Sequence, residues 1–148
     1  MDVESGTMDR QFQPHAVIMS LIVQFSDTHI SRPGQLAYDR VDTATFLRQA
    51  VTAVLRLPHA PDAVVITGDL ADHGRAEEYA LLQELLTPLR EVPVYLLPGN
   101  HDDRATLRQA FPAQPAWMAS GHAQYSVAVR AMQLVVLDTV VPRRDEGA

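Results

Sequence analysis

Three short apolar runs recur along the chain: SLIVQF (20–25), DAVVIT (62–67) and VPVYLL (92–97). Each is bounded by turn residues and enriched in β-branched or aromatic side chains, the pattern of a buried strand. Between the first two, apolar residues fall at helical spacing within Val41 to Leu57: Phe46, Leu47, Ala50, Val51, Val54 and Leu55. Asp42 or Thr43 can cap that helix, and Pro58 ends it. Between the second and third, RAEEYALLQELLTPLR (75–90) is an amphipathic helix. RATLRQAF (104–111) is a short helix closed by Pro112. AQYSVAV (123–129) and MQLVVLDT (132–139), separated by Arg130-Ala131, read as a hairpin. The order is βαβαβαββ. Strands alternating with helices imply an α/β fold with a mainly parallel sheet covered by helices.

Each of the three runs leads into side chains that carry chemistry: SDTH (26–29), TGDLAD (67–72) and PGNHDD (98–103). In an open parallel sheet, ligands bind outside the carboxyl ends of the strands. The three loops should therefore meet on one rim. The separations, 42 residues from Asp27 to Asp69 and 31 from Asp69 to Asn100, fit strand–helix–strand returns. If the first loop stays extended, alternation points Asp27 and His29 the same way. Gly68 lets the backbone turn sharply before Asp69, and a carboxylate on the middle loop is placed to bridge two ions. Asn100 offers a neutral carbonyl oxygen. With no cysteine in the chain, any metal is held by oxygen and nitrogen donors, which suit Mn, Fe or Zn. Two such divalent ions about 3.5–4 Å apart can clamp a phosphoryl oxygen and deprotonate a water. His101 is placed to hydrogen-bond the phosphoryl group or protonate a leaving oxygen. Asp102 or Asp72 can orient an imidazole from behind.

Plainer readings stand beside these. A lone Asp at a strand exit is more often a turn former or N-cap than a ligand. His15, His59 and His122 read as solvated, and His73 as a surface residue without an obvious partner. Glu77, Glu78 and Glu84 read as the wet face of their helix. Trp117 and Tyr125 suit a core or an interface. Asp138 is either a buried acid or a turn residue. Capping does not account for three such motifs at successive strand ends.

The length, 148 residues, suits one domain, and a 47% hydrophobic fraction can fill a core. A net charge of -6 argues against bulk binding to nucleic acid or anionic membranes. It leaves room for a small phosphodiester or nucleotide held through a metal. No apolar run reaches membrane-spanning length, and MDVESGTMDRQFQPH is polar and acidic, unlike a signal peptide. A cytoplasmic protein is expected. Residues 1–19 are expected to form a disordered extension, 20–141 the N-terminal portion of a domain, and 142–148 a tail.

The combination of SDTH, TGDLAD and PGNHD, set in QFSDTHI, PDAVVITGDLADHGRAEEY and PVYLLPGNHDDR, resembles the calcineurin-like metallophosphoesterases. It is most similar to their bacterial class III cyclic-nucleotide phosphodiesterase branch. The resemblance runs from about Leu21 to Val141. It implies a four-layer αββα sandwich and two divalent ions. It implies hydrolysis of a cyclic nucleotide or small phosphodiester by a metal-activated hydroxide. It places Asp27 and His29 on the first ion, Asp69 on both, and Asn100 on the second. His101 becomes the catalytic imidazole, supported by Asp102 and Asp72. Family members continue with three further histidine ligands, two in a Gly-His-x-His motif. No histidine follows Leu137 here, so the first ion would lack one ligand and the second two. The chain then reads as a truncated N-terminal half with an incomplete second sheet and impaired activity. The alternatives are a non-catalytic binding or dimerising module, such as a homodimer, and a phosphomonoesterase or nuclease relative.

Overall fold

A computed structural model of the chain describes residues 19–114 and 121–141. Strands β1 (Ile22–Ser26), β2 (Ala63–Thr67) and β3 (Val94–Leu97) form a parallel sheet in that spatial order. Helices α1 (Thr43–Leu55) and α2 (Ala76–Leu86) connect them, and α3 (Arg104–Ala110) follows β3. β4 (Tyr125–Val129) and β5 (Met132–Val136) pair as an antiparallel hairpin. The class is α/β, in the order the sequence implies. The expected extension over 1–19 and tail over 142–148, with His15 and Trp117, lie outside the described residues, except for Met19.

The apolar runs explain the sheet. β2 is central, and Ala63, Val64, Val65 and Ile66 are all buried. A continuous apolar run is what a parallel strand covered on both faces requires. Val64, Ile66 and Leu96 join Leu47, Val51 and Val54 of α1 and Tyr79, Leu82 and Leu86 of α2 in one core cluster. The helix expected over 75–90 divides: α2 ends at Leu86, and Thr87–Leu89 tighten into a 3-10 turn. Pro88 is the cause, because it has no N–H to continue an α-helical ladder. Asp42 caps α1 by accepting from the Thr45 amide at 2.9 Å, and Asp103 caps α3 by accepting from the Thr106 amide at 2.8 Å. Those bonds hold both carboxyls below the usual carboxylate range.

The outer edge of β3 is covered by side chains. The Gln114 amide donates to the Val94 carbonyl at 2.8 Å and accepts from the Leu96 amide at 3.4 Å. The buried Tyr125 hydroxyl donates to the Leu96 carbonyl at 2.8 Å. Edge groups satisfied in this way no longer offer a template for another strand. The hairpin is held at both ends. Arg130 pairs with Asp62 at the start of β2. Beyond β5, Arg104 makes a two-pronged bond to Asp138 at 2.6 and 2.7 Å. Asp138 is thus a buried acid rather than a turn residue. Met132, Val135 and Leu137 remain exposed. No helix among the described residues is long and apolar enough to cross a membrane.

Burial raises the pKa of Asp138, but Arg104 and the amides of Ala123 and Val140 outweigh it and hold the carboxyl below its usual value. A depressed acid stabilises the fold above its unfolded pKa of about 4 and loses that contribution as pH falls through the lower folded value. Asp138→Ala should cost about 2–4 kcal/mol at neutral pH, since it leaves a mostly buried guanidinium unpaired. Asp138→Asn should flatten the acid limb of stability. Urea unfolding across pH checks both.

Candidate metal centre

The register fixes the site. Ser26 pairs with Thr67, and Thr67 with Leu97, so the three strands end level. Asp27, Asp69 and Asn100 leave the sheet one, two and three residues beyond that line. The first two exit loops stay joined past the strands. The His29 amide donates to the Asp69 carbonyl at 2.8 Å, and the Ile30 amide to the Leu70 carbonyl at 3.1 Å.

The first loop is not extended. Asp27 and His29 have φ of 54° and 39°, and Asp69 has 41°. Left-handed backbone is costly for residues with a Cβ and accumulates where a fold over-determines a functional turn. Asp27 and His29 converge through these turns rather than by strand alternation. Ligand-capable atoms of Asp27, His29 and Asp69 lie within 4.8 Å of one another. So do those of His29, Asp72 and His101. His29 is common to both groups. Its Nε2 is 3.7 Å from Asp69 Oδ2, and its Nδ1 3.5 Å from Asp72 Oδ1. Asp27 is exposed, whereas the His29 and Asp69 side chains keep 14% and 15% of their accessibility. Carboxylate and imidazole donors this close repel or leave one another unpaired without a cation, and they match the donor set of Mn, Fe or Zn. The residues fit a divalent ion.

The third loop locks onto the second. Gly99 lies against Asp69, and an added Cβ would overlap the Asp69 backbone nitrogen and carboxylate. The His101 amide donates to Asp69 Oδ1 at 3.0 Å. Asn100 is exposed on the same turn. The His101 ring stands edge-on to His29, centroids 4.8 Å apart. Its Nδ1 is 2.8 Å from the Asp72 carbonyl oxygen. A carbonyl only accepts, so Nδ1 carries the proton and Nε2 is left for a ligand.

Asp72 therefore meets His101 through its backbone, while its buried carboxylate accepts from the Ser31 hydroxyl at 3.1 Å. Asp102 does not touch the imidazole. It accepts from the amides of Leu70, Ala71 and Gly99 at 2.9, 3.0 and 2.8 Å, and from the Tyr79 hydroxyl at 2.8 Å. Burial pushes its carboxyl up, against the pull of those donors. Tyr79 also accepts from the Asp103 amide at 3.1 Å. Its role was hidden, because at helical spacing with Leu82 and Leu86 it reads only as core.

Glu78 corrects the reading of a wet helix face: it is 1% exposed. Its Oε2 accepts from the amides of His73 and Arg75, both at 3.0 Å. A glutamate at the third position of a helix commonly binds the amide at the cap, but the capping residue here is arginine, which disguises the motif. Tyr38 is the other residue missed. Its hydroxyl is 3.4 Å from His29 Nδ1, and burial, then Asp72, Asp69 and Asp27, raise its pKa. Beside the centre opens a cavity of about 610 Å³, walled by Gln35, Tyr38, Asp39, Asp72, His73 and His101 among others.

An α/β sheet whose level strand ends bring together Asp, His and Asp presents a set of oxygen and nitrogen donors suited to a divalent ion. Residues 20–137 match the calcineurin-like phosphoesterase family, and the chain belongs to it. It is 34% identical over 127 residues to a probable glycerophosphodiester phosphodiesterase GpdQ of Arcobacter nitrofigilis, covering 86% of this chain and 46% of that protein. It is 34% identical over 129 residues to a probable cyclic nucleotide phosphodiesterase of Rhodococcus erythropolis, covering 85% and 42%. It is 31% identical over 122 residues to the 3',5'-cyclic adenosine monophosphate phosphodiesterase CpdA of Pseudomonas aeruginosa, covering 82% and 42%. The chain spans less than half the length of these relatives.

Gly99→Ala should lower stability by about 1–3 kcal/mol, because the methyl group meets backbone that cannot yield. It should also shift the amide resonances of Asp69 and His101. Chemical unfolding and amide spectra check the pair.

Proposed function

We propose that the chain carries the metal-binding half of a phosphodiesterase site for small phosphodiesters, cyclic nucleotides among them. The observation that carries this reading is the meeting of Asp27, His29 and Asp69 at level strand ends, with His101 across from His29. Asp27, His29 and Asp69 would hold one divalent ion, and Asp69 with Asn100 a second. When bound, such ions supply Lewis acidity toward a phosphoryl oxygen and lower the pKa of a water. The protein's own groups orient the ester. His101, fixed through Nδ1, presents Nε2 to the phosphoryl or leaving oxygen. Asp72 holds His101 and faces His29. Asp102 keeps the third loop seated on the second. The relatives, two probable phosphodiesterases and a cyclic adenosine monophosphate phosphodiesterase, support phosphodiesters as the substrate class.

The test is hydrolysis of bis(p-nitrophenyl) phosphate with Mn added and with chelator, using this chain and a version extended at its C-terminus. Turnover should require the metal and rise in the extended chain. His101→Ala should lower kcat about 100- to 10,000-fold. Absence of metal-dependent turnover in the extended chain would refute the enzyme reading.

A further inference from the structure

His73 has a setting that its surface position conceals. Its imidazole is 55% exposed, yet Nδ1 lies 3.3 Å from Asp72 Oδ2 and 3.3 Å from Glu78 Oε1. Both carboxylates are buried. Glu78 Oε1 makes no hydrogen bond among the described residues, so the imidazole is the group that answers its charge. Two carboxylates at Nδ1 place a proton there and leave Nε2 for a ligand. The ring is also anchored by its own backbone, since the His73 amide donates to the other Glu78 oxygen.

His73 and His101 both line the cavity of about 610 Å³. The remaining wall includes Ser31, Gln35, Tyr38 and Asp39: a hydroxyl, an amide, a phenol and a carboxylate. Such groups exchange hydrogen bonds with hydroxyls. Among the described residues no lysine or arginine lines the cavity, and two carboxylates do, so a second anionic group on the ligand would be repelled.

Resting on the phosphodiesterase reading, we propose that His73 is a specificity-determining residue that binds a hydroxyl on the alcohol portion of the substrate, with Glu78 and Asp72 holding the imidazole. A hydroxyl suits Nε2 because it both donates and accepts. The residue thus selects phosphodiesters of polyols or sugars over simple alkyl esters and over polyphosphates.

The experiment follows the imidazole ¹H–¹⁵N signals of the chain with zinc present as methyl glyceryl phosphate or dimethyl phosphate is added. The glyceryl ester should move the His73 Nε2 signal, and dimethyl phosphate should not. His73→Ala should weaken the glyceryl ester about tenfold, as loss of one hydrogen bond implies, and leave dimethyl phosphate unchanged. The inference is overturned if His29 and His101 respond to the glyceryl ester while His73 does not, if both esters move His73 equally, or if His73→Ala binds both as the parent does. If neither ester moves His29 or His101, the phosphodiesterase reading fails and takes this inference with it.

Discussion

The carboxylate of Asp102 joins two strand ends that the sequence separates by about thirty residues. It accepts two amides from the β2 exit loop, one from its own loop at Gly99, and the hydroxyl of Tyr79 in α2. Burying a carboxylate is costly unless its lone pairs are filled, and here four donors fill them. The return is rigidity. Asp69 and His101 sit on the two loops that Asp102 ties, and Gly99 brings them into contact. The pairing of β2 with β3 ends at Thr67 and Leu97, short of both residues.

The first loop is secured differently. It borrows the backbone of the second through the amides of His29 and Ile30, and the Thr43 hydroxyl at the start of α1 donates to the His29 carbonyl at 2.8 Å. These bonds hold Asp27 and His29 in left-handed conformations, each costing on the order of 1–3 kcal/mol for residues other than glycine. The result is a group of carboxylates and imidazoles packed closer than they would settle in water. Such an arrangement favours a divalent cation over an empty site.

Much of this was legible in the chain. The three apolar runs located the sheet, and their polar exits located the rim, because period and punctuation are local properties. The cap at Asp42 was readable for the same reason. The route by which Asp27 and His29 converge was not, since it depends on loop bonds to residues some forty positions away. Glu78 was misread because a helix position alone does not say what covers it. The work of Asp102 was hidden for a related reason: a carboxylate beside a histidine suggests a partner for the ring, and only the fold reveals three amides and a phenol competing for it. His73 shows no partner in the sequence because one of its two partners, Glu78, lies in the first turn of α2 at a position that reads as the wet face of that helix.

The central claim is that these loops make a metal centre through Asp69. Calorimetric titration of Mn into the chain and into Asp69→Asn, which keeps the shape of the side chain, tests it most directly. The account predicts saturable binding to the parent chain, weakened at least about tenfold in the variant, in line with removal of a charged ligand, while the unfolding midpoint changes little. Equal affinity in the two proteins, or no binding to the parent chain, would contradict it.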